Sequence, residues 1–107
     1  MDPILILSTA DSFEAAHRIA AALVEAREAA CVNLVSGIRS IYRWGGKVCD
    51  EGEVLLLIKS TADRFEDVRA TIKRLHTYEV PEVIAVPIPQ GDEDYLFWLG
   101  EQVRQDS

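Results

Sequence analysis

Cys31–Ile58 reads CVNLVSGIRSIYRWGGKVCDEGEVLLLI, and it sets the fold. Its first arm, Cys31–Trp44, is rich in Val, Ile, Tyr and Trp, the residues that favour a pleated strand. Gly45-Gly46 follows, a pair able to take the positive φ angles of a tight hairpin turn. The second arm runs from Lys47 and ends in the apolar run Val54–Ile58. A straight first arm of about 14 residues would reach about 46 Å, whereas a compact domain of this length has a radius of gyration of only about 13 Å. The arm must therefore bend, most cheaply at Gly37, and the hairpin tip must protrude.

Outward from the hairpin, strands alternate with helices. Upstream, Ile4–Leu7 has strand length, and Asp11 stands three residues before Glu14, a capping-box-like spacing. Phe13–Ala30 is Ala/Glu/Arg-rich, with Phe13, Ala16, Ala20, Leu23 and Val24 at helical spacing, and reads as one helix. Downstream, Thr61–His76 carries the stripe Phe65, Val68, Ile72 and Leu75. Pro81 breaks the chain, and Glu82–Ile88 reads as a strand. Pro87 and Pro89 put that strand at a sheet edge, since proline cannot donate to a ladder. Asp92 caps a last helix reaching about Arg104. The order β-α-β-β-α-β, then α, predicts an α+β, ferredoxin-like sandwich with a long central hairpin and a C-terminal helix, as a single domain over 1–107.

In that arrangement both main helices cover one face of the sheet. Ile4–Leu7 and Val54–Ile58 nevertheless place apolar side chains on both faces. Each Leu or Ile left in water forgoes roughly 1.5–3 kcal/mol. The short last helix cannot cover the whole second face, so self-association is expected.

Composition narrows the function. The 107 residues carry 11 Lys+Arg against 18 Asp+Glu, a formal charge of −7, which disfavours nucleic acid as a partner. No apolar run approaches the ~18 residues of a membrane span, and Met-Asp-Pro lacks a basic signal-peptide start. Cys31 and Cys49 form no CxxC pair. A reduced, cytoplasmic protein is the expectation. The sequence contains no GxSxG, HExxH, GxxxxGK[ST] or GxGxxG, and no nucleophile–base pair is visible, so a non-enzymatic role is predicted.

His76, at the expected end of the second helix, is read in three ways: a solvated helix-end histidine, a polar anchor at a cleft, or a metal ligand beside Glu79 or Glu82. His17 reads as a surface residue. Asp50, Glu51 and Glu53 read as a solvated acidic arm, with specific cation binding the rarer use of such a cluster, and Arg39, Arg43, Lys47 or Lys59 can balance them across the strands. Tyr42, Trp44, Tyr78 and Trp98 could wall a cleft, although packing is their commoner use.

Ala30-Cys31-Val32-Asn33, Ser40–Trp44, Gly46-Lys47, Glu53–Lys59, His76-x-Tyr78-Glu79-Val80-Pro81-Glu82 and Tyr95-Leu96-x-Trp98-Leu99 together resemble the CutA family of divalent-cation tolerance proteins, in order and over essentially the whole chain. The resemblance implies a ferredoxin-like subunit in a tight homotrimer, a cytoplasmic role in divalent metal tolerance, and copper binding as in some members. It places the metal association on His76, beside which Glu79 and Glu82 stand as the carboxylate candidates already read from the residues. Where some members add a cysteine and a histidine, this chain has Ser8 and Leu75, and Thr77 replaces the commoner proline. The family also shares its architecture with PII signalling proteins. A second expectation is therefore a module binding a small anionic ligand in intersubunit clefts, lined by Arg39, Arg43, Lys59, Tyr78, Glu82 and Trp98. A metal site needs His76 and carboxylates to converge. An anion cleft needs the basic residues to do so.

Overall fold

Strand β1 (Pro3–Ala10), helix α1 (Phe13–Glu25), strands β2 (Cys31–Trp44) and β3 (Lys47–Thr61), helix α2 (Phe65–Leu75), strand β4 (Ile84–Pro87) and helix α3 (Glu93–Gln102) follow one another in a computed structural model that describes residues 2–105. The strands form one antiparallel sheet in the order β2-β3-β1-β4. This is the ferredoxin-like arrangement that the element order predicted.

Alternation along the strands divides the sheet into two faces. Ile4, Ile6 and Ala10 of β1 and Val54, Leu56 and Ile58 of β3 are buried against Ala15, Ala16, Ile19 and Leu23 of α1 and Val68 and Ile72 of α2. Leu5, Leu7, Leu55 and Leu57 take the opposite face and are only half-buried. Leu99 and Val103 form a separate small cluster there with Ala30. Val35, Ile84, Val86, Phe97 and Trp98 remain exposed, so α3 leaves part of this second face uncovered.

The hairpin bends and protrudes. Between Val35 and Ile38 the register shifts: Val35 faces Leu55, but Ile38 faces Glu53. One extra residue in β2 makes a bulge, and Gly37 in it has φ +82°. Pairing with β1 ends at Ala10–Val54, so from Ile38 to Glu53 the hairpin is a two-stranded ribbon that leaves the sheet. Gly45 and Gly46, at φ +59° and +78°, make the two-residue turn between Trp44 and Lys47. The molecule measures 45 Å along its longest axis.

Three boundaries differ from the sequence reading. Helix α1 stops at Glu25 rather than Ala30, because Arg27 takes φ +57°. The Arg27 N–H donates to the Val24 carbonyl and the Glu28 N–H to the Leu23 carbonyl, the paired bonds of a Schellman stop. Tertiary contacts hold this stop against helix propensity. Arg64, only 6% exposed, donates to the Ala26 and Arg27 carbonyls, and the Arg27 guanidinium donates to the Gln102 carbonyl at 3.1 Å. Helix α2 begins after Thr61, which stays in β3 opposite Pro3; a 3₁₀ turn over Ala62–Arg64 comes first. Strand β4 spans four residues rather than seven and lies at the edge, as Pro87 and Pro89 anticipated.

Candidate functional site

The bulge that bends β2 also decides which side chains meet. Before it, the odd-numbered Cys31, Asn33 and Val35 share a face with Lys59, Leu57 and Leu55. After it, the even-numbered Ile38, Ser40, Tyr42 and Trp44 take that face, opposite Glu53, Glu51, Cys49 and Lys47. Thr9 joins them through its pairing with Leu55. The chain leaving α2 passes beside this face. Between the two lies a cleft of about 530 Å³, lined by Thr9, Ser40, Ile41, Tyr42, Trp44, Glu53, Tyr78, Glu79, Val80 and Glu82.

His76 secures the outer wall. It ends α2 in extended conformation, φ −73° and ψ 148°. Its Nδ1 accepts the Tyr78 N–H at 3.0 Å, and Nε2 lies 2.6 Å from the Thr9 carbonyl oxygen. An Nδ1 that accepts leaves the proton on Nε2, which donates to Thr9. Both nitrogens of a neutral ring are then occupied. The His76 and Tyr78 rings lie 4.5 Å apart between centroids. Of the three sequence readings of His76, this geometry is that of the polar anchor.

Tyr78 reaches across the cleft, and its hydroxyl donates to the Glu53 carboxylate. Glu53 is 7% exposed, so its place in a solvated acidic arm is corrected here. It sits at the bulge, one turn of the pleat beyond Leu55, where the ribbon face is still covered by the chain from α2. Burial, then the Glu53 hydrogen bond and charge, hold the Tyr78 phenol well above the ordinary tyrosine value. The Tyr42 phenol is also pushed up, by desolvation first and then by Cys49, Glu51 and Glu53.

Glu79 and Glu82 line the cleft, as does Glu53. The basic candidates are elsewhere. Arg39 lies on the other face of the ribbon and pairs with Asp50 at 2.6 Å, an exposed cross-strand bridge. Arg43 shares that face. Lys59 donates to Asn33, beside Cys31 at the far end of β2. Trp98 is on α3, against Tyr95 at 5.6 Å. The structure thus brings Tyr78 and Glu82 into the cleft and leaves Arg39, Arg43, Lys59 and Trp98 outside it. His17 is exposed, and Cys31 and Cys49 are free and half-buried. Among the described residues, no three His, Cys, Asp or Glu side chains come together as a ready metal-binding group.

Thr9 and Ser40 entered no candidate set in the sequence analysis, and Glu53 entered only as a member of the acidic arm. The usable signal was the count of residues around Gly37. A bulge there switches the facing set from odd to even numbers and aligns Tyr42 and Trp44 with Glu53.

Known proteins are similar to this chain in sequence and in fold. The family described as CutA1 divalent ion tolerance protein matches residues 4–102. The divalent-cation tolerance protein CutA of Thermus thermophilus is 50% identical over 97 residues, covering 91% of this chain and 94% of that protein. The crystal structure of CutA1 from Oryza sativa superposes with a TM-score of 0.95 at 40% identity, covering 99% of this chain and 97% of that one. The Thermus thermophilus Cut A1 structure gives 0.93 at 48% identity, covering 95% and 99%. A family match over residues 4–102, with a relative 50% identical over nearly the whole length, makes this chain a member of the CutA1 divalent ion tolerance protein family.

Proposed function

We propose that this protein acts in divalent-cation tolerance as a homotrimer that takes cations at the acidic rim of the hairpin cleft. The observation that carries this reading is the charge of the lining: Glu53, Glu79 and Glu82 contribute to it, while Arg39, Arg43 and Lys59 do not. The field in the cleft attracts cations and opposes an anionic ligand. Glu79 and Glu82, both exposed, are the available ligands, because Glu53 is committed to Tyr78.

His76 was expected to supply nitrogen to copper. Both its ring nitrogens serve the fold, and coordination at either would break a bond to Thr9 or Tyr78. The donors therefore do not fit a nitrogen-rich copper site within one subunit. Carboxylate oxygens and water suit Mg²⁺, Mn²⁺ or Ca²⁺ better. His76 acts on this site by holding the Tyr78–Glu82 segment in place. Cys31 and Cys49, free and half-buried, suit a reducing compartment such as the cytoplasm.

Calorimetric titration of untagged protein with Mn²⁺ and Cu²⁺ tests the reading. The Glu79→Gln/Glu82→Gln double variant should lose most of the Mn²⁺ binding while keeping its assembly mass. Unchanged Mn²⁺ affinity in that variant would remove the cleft from the reading. Tight Cu²⁺ binding abolished by His76→Gln, with mass retained, would restore the nitrogen ligand.

A further inference from the structure

The cleft is far larger than a metal ion needs. At about 530 Å³ it falls in the range of small-molecule sites, roughly 300–1,000 Å³. Its walls join two chemistries. Tyr42, Trp44 and Tyr78 present aromatic surface, and Ile41 and Val80 add apolar surface. Glu53, Glu79 and Glu82 bring negative charge, and no Lys or Arg lines the space. On that face of the ribbon the only base is Lys47, beyond Trp44 at the turn.

We propose that the cleft binds a small organic ammonium ion. Aromatic faces attract cations through the ring quadrupole, and a quaternary ammonium group is poorly hydrated enough to leave water for them. A bare divalent cation gains nothing from such rings. It holds its water tightly and prefers oxygen. An apolar neutral molecule would leave the carboxylates of the lining without a counter-charge. An ammonium ion carrying methyl or methylene groups uses both walls at once, its charge toward Glu79 and Glu82 and its carbon surface on Tyr42 and Trp44.

The arrangement also accounts for exposed aromatic surface. Trp44 is 55% exposed and Tyr42 42%, on a ribbon that offers them no core. Tyr78 is the fixed wall: its hydroxyl is tied to Glu53 and its backbone to His76, so the ring is held in place before a ligand arrives. Fixing a binding surface in advance lowers the ordering cost of binding.

This inference shares the cleft and its carboxylates with the divalent-cation reading, but it rests besides on the rings and the volume, which a metal ion does not need. The probe is choline chloride, titrated calorimetrically into the assembled wild-type protein. Its neutral isostere, 3,3-dimethylbutan-1-ol, has the same shape without the charge. Choline should bind saturably, about tenfold or more tightly than the isostere. Tyr42→Leu should weaken choline at least about fivefold, and Tyr42→Phe, which keeps the ring, should restore it. Trp44→Leu should weaken it likewise, with light scattering showing the assembly unchanged. If Trp44→Leu alters the assembly, the Tyr42 pair decides. Absence of saturable choline binding, equal binding of the isostere, or indifference to Tyr42→Leu overturns the inference. The two readings of the cleft separate cleanly. A wild-type protein that takes choline but not Mn²⁺ condemns the metal reading alone, and one that takes Mn²⁺ but shows no saturable choline binding condemns this one alone.

Discussion

The Tyr78–Glu53 pair shows how a single side chain can tie distant parts of the chain together. Removing the phenolic hydroxyl leaves a buried carboxylate without its donor. A hydrogen bond to a charged group contributes about 1.5–3 kcal/mol, so Tyr78→Phe should destabilise the protein by about that amount in urea unfolding. Glu53→Gln keeps an acceptor for the phenol and should cost less. Equal stability of Tyr78→Phe and wild type would show that the bond carries no net weight. The pair also predicts an alkaline response. Because the Tyr78 phenol is raised in the folded protein, first by burial and then by Glu53, the folded state holds that proton more tightly than the unfolded chain. Its contribution is present in full below the ordinary tyrosine value, about 10, and is lost as pH climbs through the raised value. Phenolate absorbance at 295 nm should therefore show Tyr78 ionising after Tyr42 and Tyr95, and Tyr78→Phe should delete the last step. Deletion of an earlier step would refute the assignment. The same residue marks a limit of legibility. His76, Tyr78, Glu79 and Glu82 stood out by spacing alone, but the role of His76 depended on Thr9, 67 positions away. Nothing local announces that a carbonyl at the end of β1 will meet an imidazole at the end of α2.

At the scale of elements, the hairpin was legible because its chemistry is local. A turn of two residues with φ +59° and +78° demands glycine or asparagine, and the sequence supplies Gly45-Gly46 between β-favouring arms. A Cβ at either position would meet nothing within 4 Å, so any penalty for replacing them is a pure backbone cost. Left-handed geometry costs a β-branched residue at least about 1–2 kcal/mol. Gly45→Val/Gly46→Val should lower stability by about 2–4 kcal/mol, whereas Gly45→Asn should be nearly neutral. Thermal unfolding of the three proteins checks the order, and indifference to the double valine change would sink the turn assignment. The end of α1 was illegible for the opposite reason. Ala26–Ala30 has good helix propensity, and what stops the helix at Glu25 is tertiary: Arg64, from the start of α2, collecting the Ala26 and Arg27 carbonyls. Arg64→Met removes these donors and the Asp67 bridge, leaving part-buried carbonyls unsatisfied. It should cost about 1–3 kcal/mol, well beyond the effect of the exposed Arg69→Met.

The whole molecule carries two apolar surfaces that one copy cannot cover. The first is the sheet face opposite α1 and α2, where Ile84, Val86, Val35, Phe97 and Trp98 stay exposed, Phe97 at 71%. The second is on the ribbon, where Ile41, at the border of the cleft, is 69% exposed and Val48, on the side away from it, 64%. Both β2 and β4 are edge strands, and a long exposed edge with apolar side chains is a template for pairing with another chain. An open edge invites indefinite growth unless the contact closes on itself, and rotational closure of a heterologous contact gives a ring. A ribbon that leaves the sheet at a bulge is suited to such a contact, because it can lie along a neighbour's edge while its own sheet packs inward. Closure and the two uncovered surfaces call for a ring of copies, and the proposed trimer is one that meets this requirement. Light scattering at micromolar concentration should give three times the 11.9 kDa chain mass. Ile84→Glu/Val86→Glu places two charges on the face to be buried, and desolvating unpaired carboxylates costs several kcal/mol, so this variant should shift toward smaller species. Val48→Glu tests the ribbon separately and leaves the residues that line the cleft untouched. A wild type that runs as a monomer would end the trimer proposal, and the exposed apolar surface would then need another partner. If Ile84→Glu/Val86→Glu dissociates the assembly while Val48→Glu does not, the sheet face holds the copies together and the ribbon is free to serve the cleft.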